Sequence, residues 1–226
     1  MIEPRAHIGK IKKPKSVSEL VLERLRDDII KNRFELGAKI SEAQLSGLYG
    51  VTKAPIRSAY IRLEAEGLVE VRPQSGTYVF QPSIEEVRAL CELRTALELE
   101  ALHLAMERNQ PALARDIAAI CDEMHDALTH EDQERYQKLD SAFHTAIMTA
   151  ADSPLLAETY KSRVNSRFSA LRFRFSRDTA HNGTSLAEHL QLRDHIKAGR
   201  QNEALAMMRA HIAYTERYYQ AMVPES

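Results

Sequence analysis

The stretch from Ile40 to Val79, ISEAQLSGLYGVTKAPIRSAYIRLEAEGLVEVRPQSGTYV, decides the fold. Ser41 can cap a short helix that buries Leu45 and stops at Gly50, the residue best suited to a left-handed helix end. Thr52 is placed to cap the next helix, and Pro55 falls in its first turn, where a missing amide hydrogen costs little. Ile56, Ala59, Leu63 and Leu68 supply the buried side of that helix before Gly67 closes it. The period then changes. Val69, Val71 and Tyr78 alternate around Pro73, Gln74, Ser75 and Gly76, which predicts a two-stranded hairpin with a polar tip. Helix, tight turn, helix and wing follow from spacing alone.

Upstream, Ser16 and Glu19 form a capping-box pattern ahead of Leu20, Val21, Leu25, Ile29 and Ile30, predicting a first helix that Phe34, Leu36 and Gly37 end. Residues 1–15 read as a basic flexible arm, with Lys10, Lys12, Lys13 and Lys15 interrupted by Pro14. Such an arm can follow phosphates or be a solvated tail. The 226 residues carry a net charge of -1, but residues 1–80 hold 14 Lys+Arg against 10 Asp+Glu and the remainder 17 against 22, or +4 and -5. Only the first part is a candidate polyanion binder. With 44% hydrophobic residues the chain can fold into cores. Cys91 and Cys121 form no C-x-x-C pair and no disulfide framework, and neither an apolar leader nor an 18-residue apolar run is present. A cytoplasmic protein without membrane contact is expected.

Downstream of a short linker at 81–83 the pattern turns helical, with apolar residues at spacings of three and four such as Leu90, Leu93, Leu97 and Leu104, and later Phe143 and Ile147. Helices are expected at about 83–108, 110–129, 131–151, 153–176, 184–198 and 201–221, packed as an antiparallel bundle. Pro111 and Pro154 sit at helix starts and Gly199 at a stop. The fold class is therefore mainly α. It comprises a winged helix-turn-helix over 16–80, an all-α bundle over 84–221 and a tail at 222–226.

The third helix, opening with Thr52, Lys53 and Ala54 and carrying Arg57 one turn later, has the form of a recognition helix. A guanidinium can donate twice to guanine O6 and N7, which discriminates on the order of ten- to hundredfold, while Thr52 and Lys53 suit phosphate. The alternative is an ion pair between Arg57 and a carboxylate such as Glu64 or Glu66. The Ile40–Val79 run resembles the reading domain of GntR-family transcription regulators through Ser41-Glu42, Leu45, Gly50-Val51-Thr52, Pro55-Ile56-Arg57, Leu63-Glu64, Gly67-Leu68-Val69 and Gly76-Thr77. The resemblance implies that Thr52, Lys53, Ala54 and Arg57 face the major groove and that Gln74, Ser75 and Gly76 lie near the minor groove. Ala43 departs from the arginine that some members carry, and Ala54 from a hydroxyl residue, so the base code does not transfer whole.

Among nine histidines, spacing selects few. Asp140 and His144 lie one helical turn apart on one face. His189 and His211, on the last two helices, can complete a metal set from neighbouring helices, or all four can be ordinary polar groups of a bundle. His103, His125, His130, His181 and His195 lack such a pairing. The segment 83–219 resembles the FCD ligand-binding domain of the FadR branch, in its six-helix VanR-like form, whose Asp-x-x-x-His motif and two later histidines bind a divalent metal. Here these are Asp140, His144, His189 and His211. The resemblance implies zinc, with nickel or manganese as alternatives, and open positions for a small carboxylate effector.

Arg94, in Arg94-x-x-Leu97-Glu98, matches a family arginine near the effector; it can equally pair with a bundle acid. Arg163, Arg167, Arg172, Arg174 and Arg177, interleaved with Phe168, Phe173 and Phe175, read as a helix face feeding the core or a dimer contact rather than a nucleic-acid platform. The expected function is that of a homodimeric regulator, a repressor, that binds a pseudo-palindromic double-stranded operator and is not an enzyme. Two rivals remain: the ion itself as the signal, and a metal-dependent hydrolase.

Overall fold

The computed structural model describes residues 14–176 and 178–223. The basic arm, apart from Pro14 and Lys15, lies outside the described residues, as do Arg177 and Pro224–Ser226 of the tail. Lys15 itself pairs with Glu23 at 2.6 Å.

Helix α1 (Val17–Ile30) opens with the expected capping box, the Ser16 hydroxyl accepting from the Glu19 amide while the Glu19 carboxylate accepts from the Ser16 amide. It ends earlier than Phe34–Gly37. Asn32 takes a left-handed φ of 57°, and the Arg33 amide folds back to the Asp28 carbonyl, so the chain turns four residues sooner. Strand β1 (Lys39–Ile40) follows, too short for a two-residue period to announce it. Helix α2 (Glu42–Tyr49) has a second capping box, Ser41 with Gln44, and stops at Gly50 with φ 66°.

Thr52 precedes α3 (Lys53–Ala65) in extended conformation, but its hydroxyl makes no capping bond, contrary to expectation. Pro55 lies in the first turn as expected. Strands β2 (Val69–Arg72) and β3 (Gly76–Val79) form the antiparallel wing, and β1 adds to its outer edge in the order β1-β3-β2. At the wing tip Gly76 has φ 127°, a conformation that glycine adopts and a side chain would strain. Leu25, Ile29, Ile56, Leu63 and Leu68 are wholly buried in the core of this head, each contributing about 1.5–3 kcal/mol. One member of that core, Ala170, comes from the helical half.

The bundle begins at the Ser83–Glu86 capping box and the long α4 (Ile84–Thr129). The first two expected helices are both present within this span and meet, as expected, at Asn109, whose non-helical φ of -142° kinks the chain just before Pro111. The Asn109 amide and Arg108 guanidinium bind carbonyls of residues 150–152 and fix the bend. α5 (Gln133–Ala150) follows. The helix expected at 153–176 runs unbroken from 154 to 175 but contains a π-helical turn (Lys161–Asn165) between α6 (Pro154–Tyr160) and α7 (Ser166–Phe175).

α8 (Thr179–Lys197) starts five residues before the expected 184, because Asp178 caps it by accepting from the Ala180 amide. His181, Asn182 and Gly183 are therefore helical. α9 (Gln201–Met222) closes the bundle, and Val223 packs into its core, so the tail begins later than 222. α4 is the central element, packed against α5, α8 and α9. No helix among the described residues is long and apolar enough to cross a membrane.

Candidate functional site

The first candidate surface is the amino-terminal face of α3. Thr52, Lys53, Ala54 and Arg57 are exposed, while Ile56, Ala59 and Tyr60 on the opposite side anchor the helix in the head. Arg57 pairs with Glu42 at the start of α2, Nε to Oε1 at 2.8 Å, and not with Glu64 or Glu66. Glu64 accepts from the Val71 amide, and Glu66 holds Arg26. The Arg57 side chain keeps 65% of its exposure, so the pair is solvent-screened and easily exchanged for another acceptor. Gln74 and Ser75 stand exposed at the wing tip, Gln74 with φ 59° and Gly76 half-buried beneath them. The Ser75 and Tyr78 hydroxyls meet at 2.7 Å, and the Arg72 guanidinium lies 4.5 Å over the Tyr78 ring, which stiffens the tip.

The second candidate lies inside the bundle, where α5 supplies Asp140 and His144, α8 supplies His189 and α9 supplies His211. The three imidazoles are buried and each offers a nitrogen within 4.8 Å of the others. Asp140 is beside them, Oδ2 at 3.9 Å from His144 Nε2 and Oδ1 at 3.8 Å from His189 Nε2. The four residues singled out in the sequence thus converge. Burial holds the His189 imidazole neutral down to about 3 and His211 to about 4, and pushes His144 well below its ordinary value. Neutral imidazole is the form that binds metal. Asp140 is driven upward by burial but more strongly downward by Arg172 and the histidines, so it stays ionised.

One atom pair tests whether a metal fits. Both nitrogens of His189 are buried without a hydrogen-bond partner among the described residues, an arrangement that is costly unless something fills it. His211 is already oriented, its Nδ1 lying 2.8 Å from Glu188 Oε2, which leaves Nε2 for a ligand. The donor set of three neutral imidazoles and one carboxylate suits zinc, nickel or manganese.

Sequence reasoning missed three residues here. Glu98 is wholly buried; its Oε1 accepts from Arg94 and from the Tyr160 hydroxyl, and its Oε2 lies 2.8 Å from His144 Nδ1 without the alignment of a hydrogen bond. Glu188 orients His211. Arg172 forms a very short ion pair with Asp140 and donates to Ser141 Oγ at 2.6 Å. Its signal was the four-residue spacing from Phe168, which places a guanidinium on a buried helix face.

Arg94, the expected effector residue, is 1% exposed and bound to Glu98 Oε1 at 2.6 Å, with Nη2 2.7 Å from His144 Nε2. The pairing with a bundle acid is therefore real, and it places Arg94 at the histidines. His181, set aside by spacing, stacks on Tyr218 with ring centroids 3.7 Å apart. Together with Arg94, Tyr136, Asp140, Asn182 and His211 it borders a polar cavity of about 10 Å³, room for about one water.

Residues 17–79 match the model for bacterial regulatory proteins of the gntR family, and residues 89–214 match the FCD domain. The transcriptional repressor RspR of Escherichia coli is 27% identical over 146 residues, which span 65% of this chain and 64% of RspR, just under two-thirds of the relative's length. LutR, a transcriptional regulator of Bacillus subtilis, is 29% identical over 211 residues, 83% of this chain and 94% of LutR. Among solved structures, a GntR regulator from Rhodococcus sp. RHA1 superposes with a TM-score of 0.79 at 21% identity, covering 90% of this chain and 97% of that one. E. coli McbR/YncC gives 0.80 at 18% identity, over 93% and 100%. These two likenesses concern the fold. The relatives are transcription regulators and not enzymes, which removes the hydrolase reading.

Proposed function

Because the chain belongs to the gntR family of bacterial regulatory proteins and carries an FCD domain, we propose that it is a transcriptional repressor that binds a pseudo-palindromic operator as a homodimer in the cytoplasm and responds to a small carboxylate metabolite. The reading head, 16–80, connects through 81–83 to the sensing bundle, 84–221. Arg57 exchanges Glu42 for a base edge, Lys53 and Thr52 hold phosphate, and the backbone at Ala54 lies close to the groove. Gln74, Ser75 and Gly76 reach the minor groove from the wing. Two heads combine their binding free energies and require half-sites at fixed spacing.

The sensing half of the proposal is carried by the unpartnered, buried imidazole of His189 beside His144, His211 and Asp140. A divalent ion held by these residues would supply a Lewis-acidic position for an effector oxygen. Arg94 brings a fixed positive charge to the same place and orients an incoming carboxylate. The small cavity favours a second reading in which the ion alone is the signal.

The test selects duplexes from a random pool with the full-length protein and then titrates zinc, with and without candidate carboxylates, against the selected duplex. Enrichment of a two-fold repeat, together with an affinity that an acid alters only in the presence of zinc, is expected. An affinity set by zinc alone would favour the second reading, and a pool with no enriched sequence would overturn the first. His189→Ala should reduce bound metal from about one ion per chain to none by plasma emission analysis while the head stays folded.

A further inference from the structure

Helix α7 touches two separate parts of the molecule. On one side Arg172 holds Asp140 and Ser141, Ser169 Oγ meets Ser141 Oγ at 3.2 Å, and the Phe168 ring lies 4.1 Å beneath the Arg94 guanidinium. On the other side Ala170 is part of the head's own core. Arg174 donates to the carbonyls of Ile29 and Phe34, where α1 ends and the chain turns toward β1. Ser166 Oγ donates to Glu66 Oε2 at 3.2 Å, and Glu66 in turn binds Arg26 of α1 at 2.6 Å. Arg172 and Arg174 are two positions apart, about 200° around a helix, so one rod carries both grips on nearly opposite faces.

The geometry points to Arg172 as the positioning residue that couples the histidine site to the reading head. The inference rests on the ligand-responsive reading above and supplies its route. Asp140 is shared: it neutralises Arg172 and lies within 4 Å of two imidazoles. A cation among the histidines competes with Arg172 for the negative charge of the one carboxylate, so occupancy weakens the hold of α5 on α7. Close-packed helices respond by moving as units. The π-helical turn at 161–165, immediately before α7, is a segment whose hydrogen-bond register is already displaced, a feature frequent at functional sites. Movement of α7 carries Arg174 with it and shifts the clasp on α1, and with α1 the angle at which α3 is presented.

Coupling between two sites is reciprocal, so loosening the clasp at the head must change metal affinity at the histidines by the same factor. The experiment uses the full chain with zinc as the probe. Arg174→Gln touches none of the four candidate ligands, yet its zinc affinity, measured by competition with a chromophoric chelator, should differ from that of the unmodified protein by about fivefold or more. Equal affinities would overturn the inference.

A second arm needs no metal. In zinc-free protein, Arg172→Met should accelerate amide hydrogen exchange across residues 26–37, at the far end of the rod, and Arg172→Lys, which retains the charge and remains the folded comparison, should restore part of the protection. Unchanged exchange in both variants would overturn the coupling. Failure of the unmodified protein to bind zinc would count against the metal reading, and the exchange arm would then decide the coupling by itself.

Discussion

Two arginine–carboxylate pairs, Arg57 with Glu42 and Arg172 with Asp140, use the same chemistry to opposite ends. The first stands in water on the head, its arginine side chain 65% exposed; the arginine side chain of the second is 5% exposed inside the bundle. In water the attraction is screened, and the pair can be parted by any better acceptor. Inside the bundle each charge has lost its hydration, so parting the pair leaves an uncompensated ion. An interchangeable pair suits a surface that must meet DNA. A pair that is costly to break suits a site where a bound ion is to have mechanical consequences.

The largest expected effect tests the buried pair. Asp140→Ala leaves the buried Arg172 without its counter-charge and should lower stability by about 3–5 kcal/mol in urea unfolding. The double variant Asp140→Leu/Arg172→Met should recover much of that loss, and equal losses in both would show that packing and not charge holds α5 to α7. Of intermediate size, Glu188→Gln should weaken zinc binding by about 10- to 100-fold without changing the fold, because it removes only the carboxylate that orients His211. An unaltered affinity would separate His211 from the metal set. Smallest in stability is the exposed pair. Arg57→Ala should leave helical circular dichroism and the melting temperature unchanged while it abolishes preference for the selected operator over random duplex. Retained preference would move base reading to another part of α3.

The head was legible in the sequence because its determinants are local. Ser16 with Glu19, the Ser41 cap, Gly50 and the alternation about Gly76 each act within a few residues, and the structure places all of them as expected. Where local signals compete, the reading erred. Asn32 ends α1 before the glycine that seemed to mark its end, and Asp178 starts α8 ahead of Gly183. The four candidate ligands were also legible, two from a helical spacing and two from resemblance. Their partners were not. Glu98, Glu188 and Arg172 acquire meaning only when helices distant in sequence are packed together, as in the 32 positions that separate Asp140 from Arg172. One arginine in a run of arginines and phenylalanines looks the same whether it faces solvent or a buried aspartate.

The methyl group of Ala170 has an engineering consequence. It fills the hydrophobic interior of the winged unit from outside that unit's own stretch of chain. Cutting the polypeptide after Pro82 would leave a notch in the amino-terminal piece, and grafting a foreign winged unit onto this sensor would require reshaping α7 to suit the newcomer's interior. Modules that look separable along the string are keyed together at α7, by this methyl group as well as by Ser166 and Arg174.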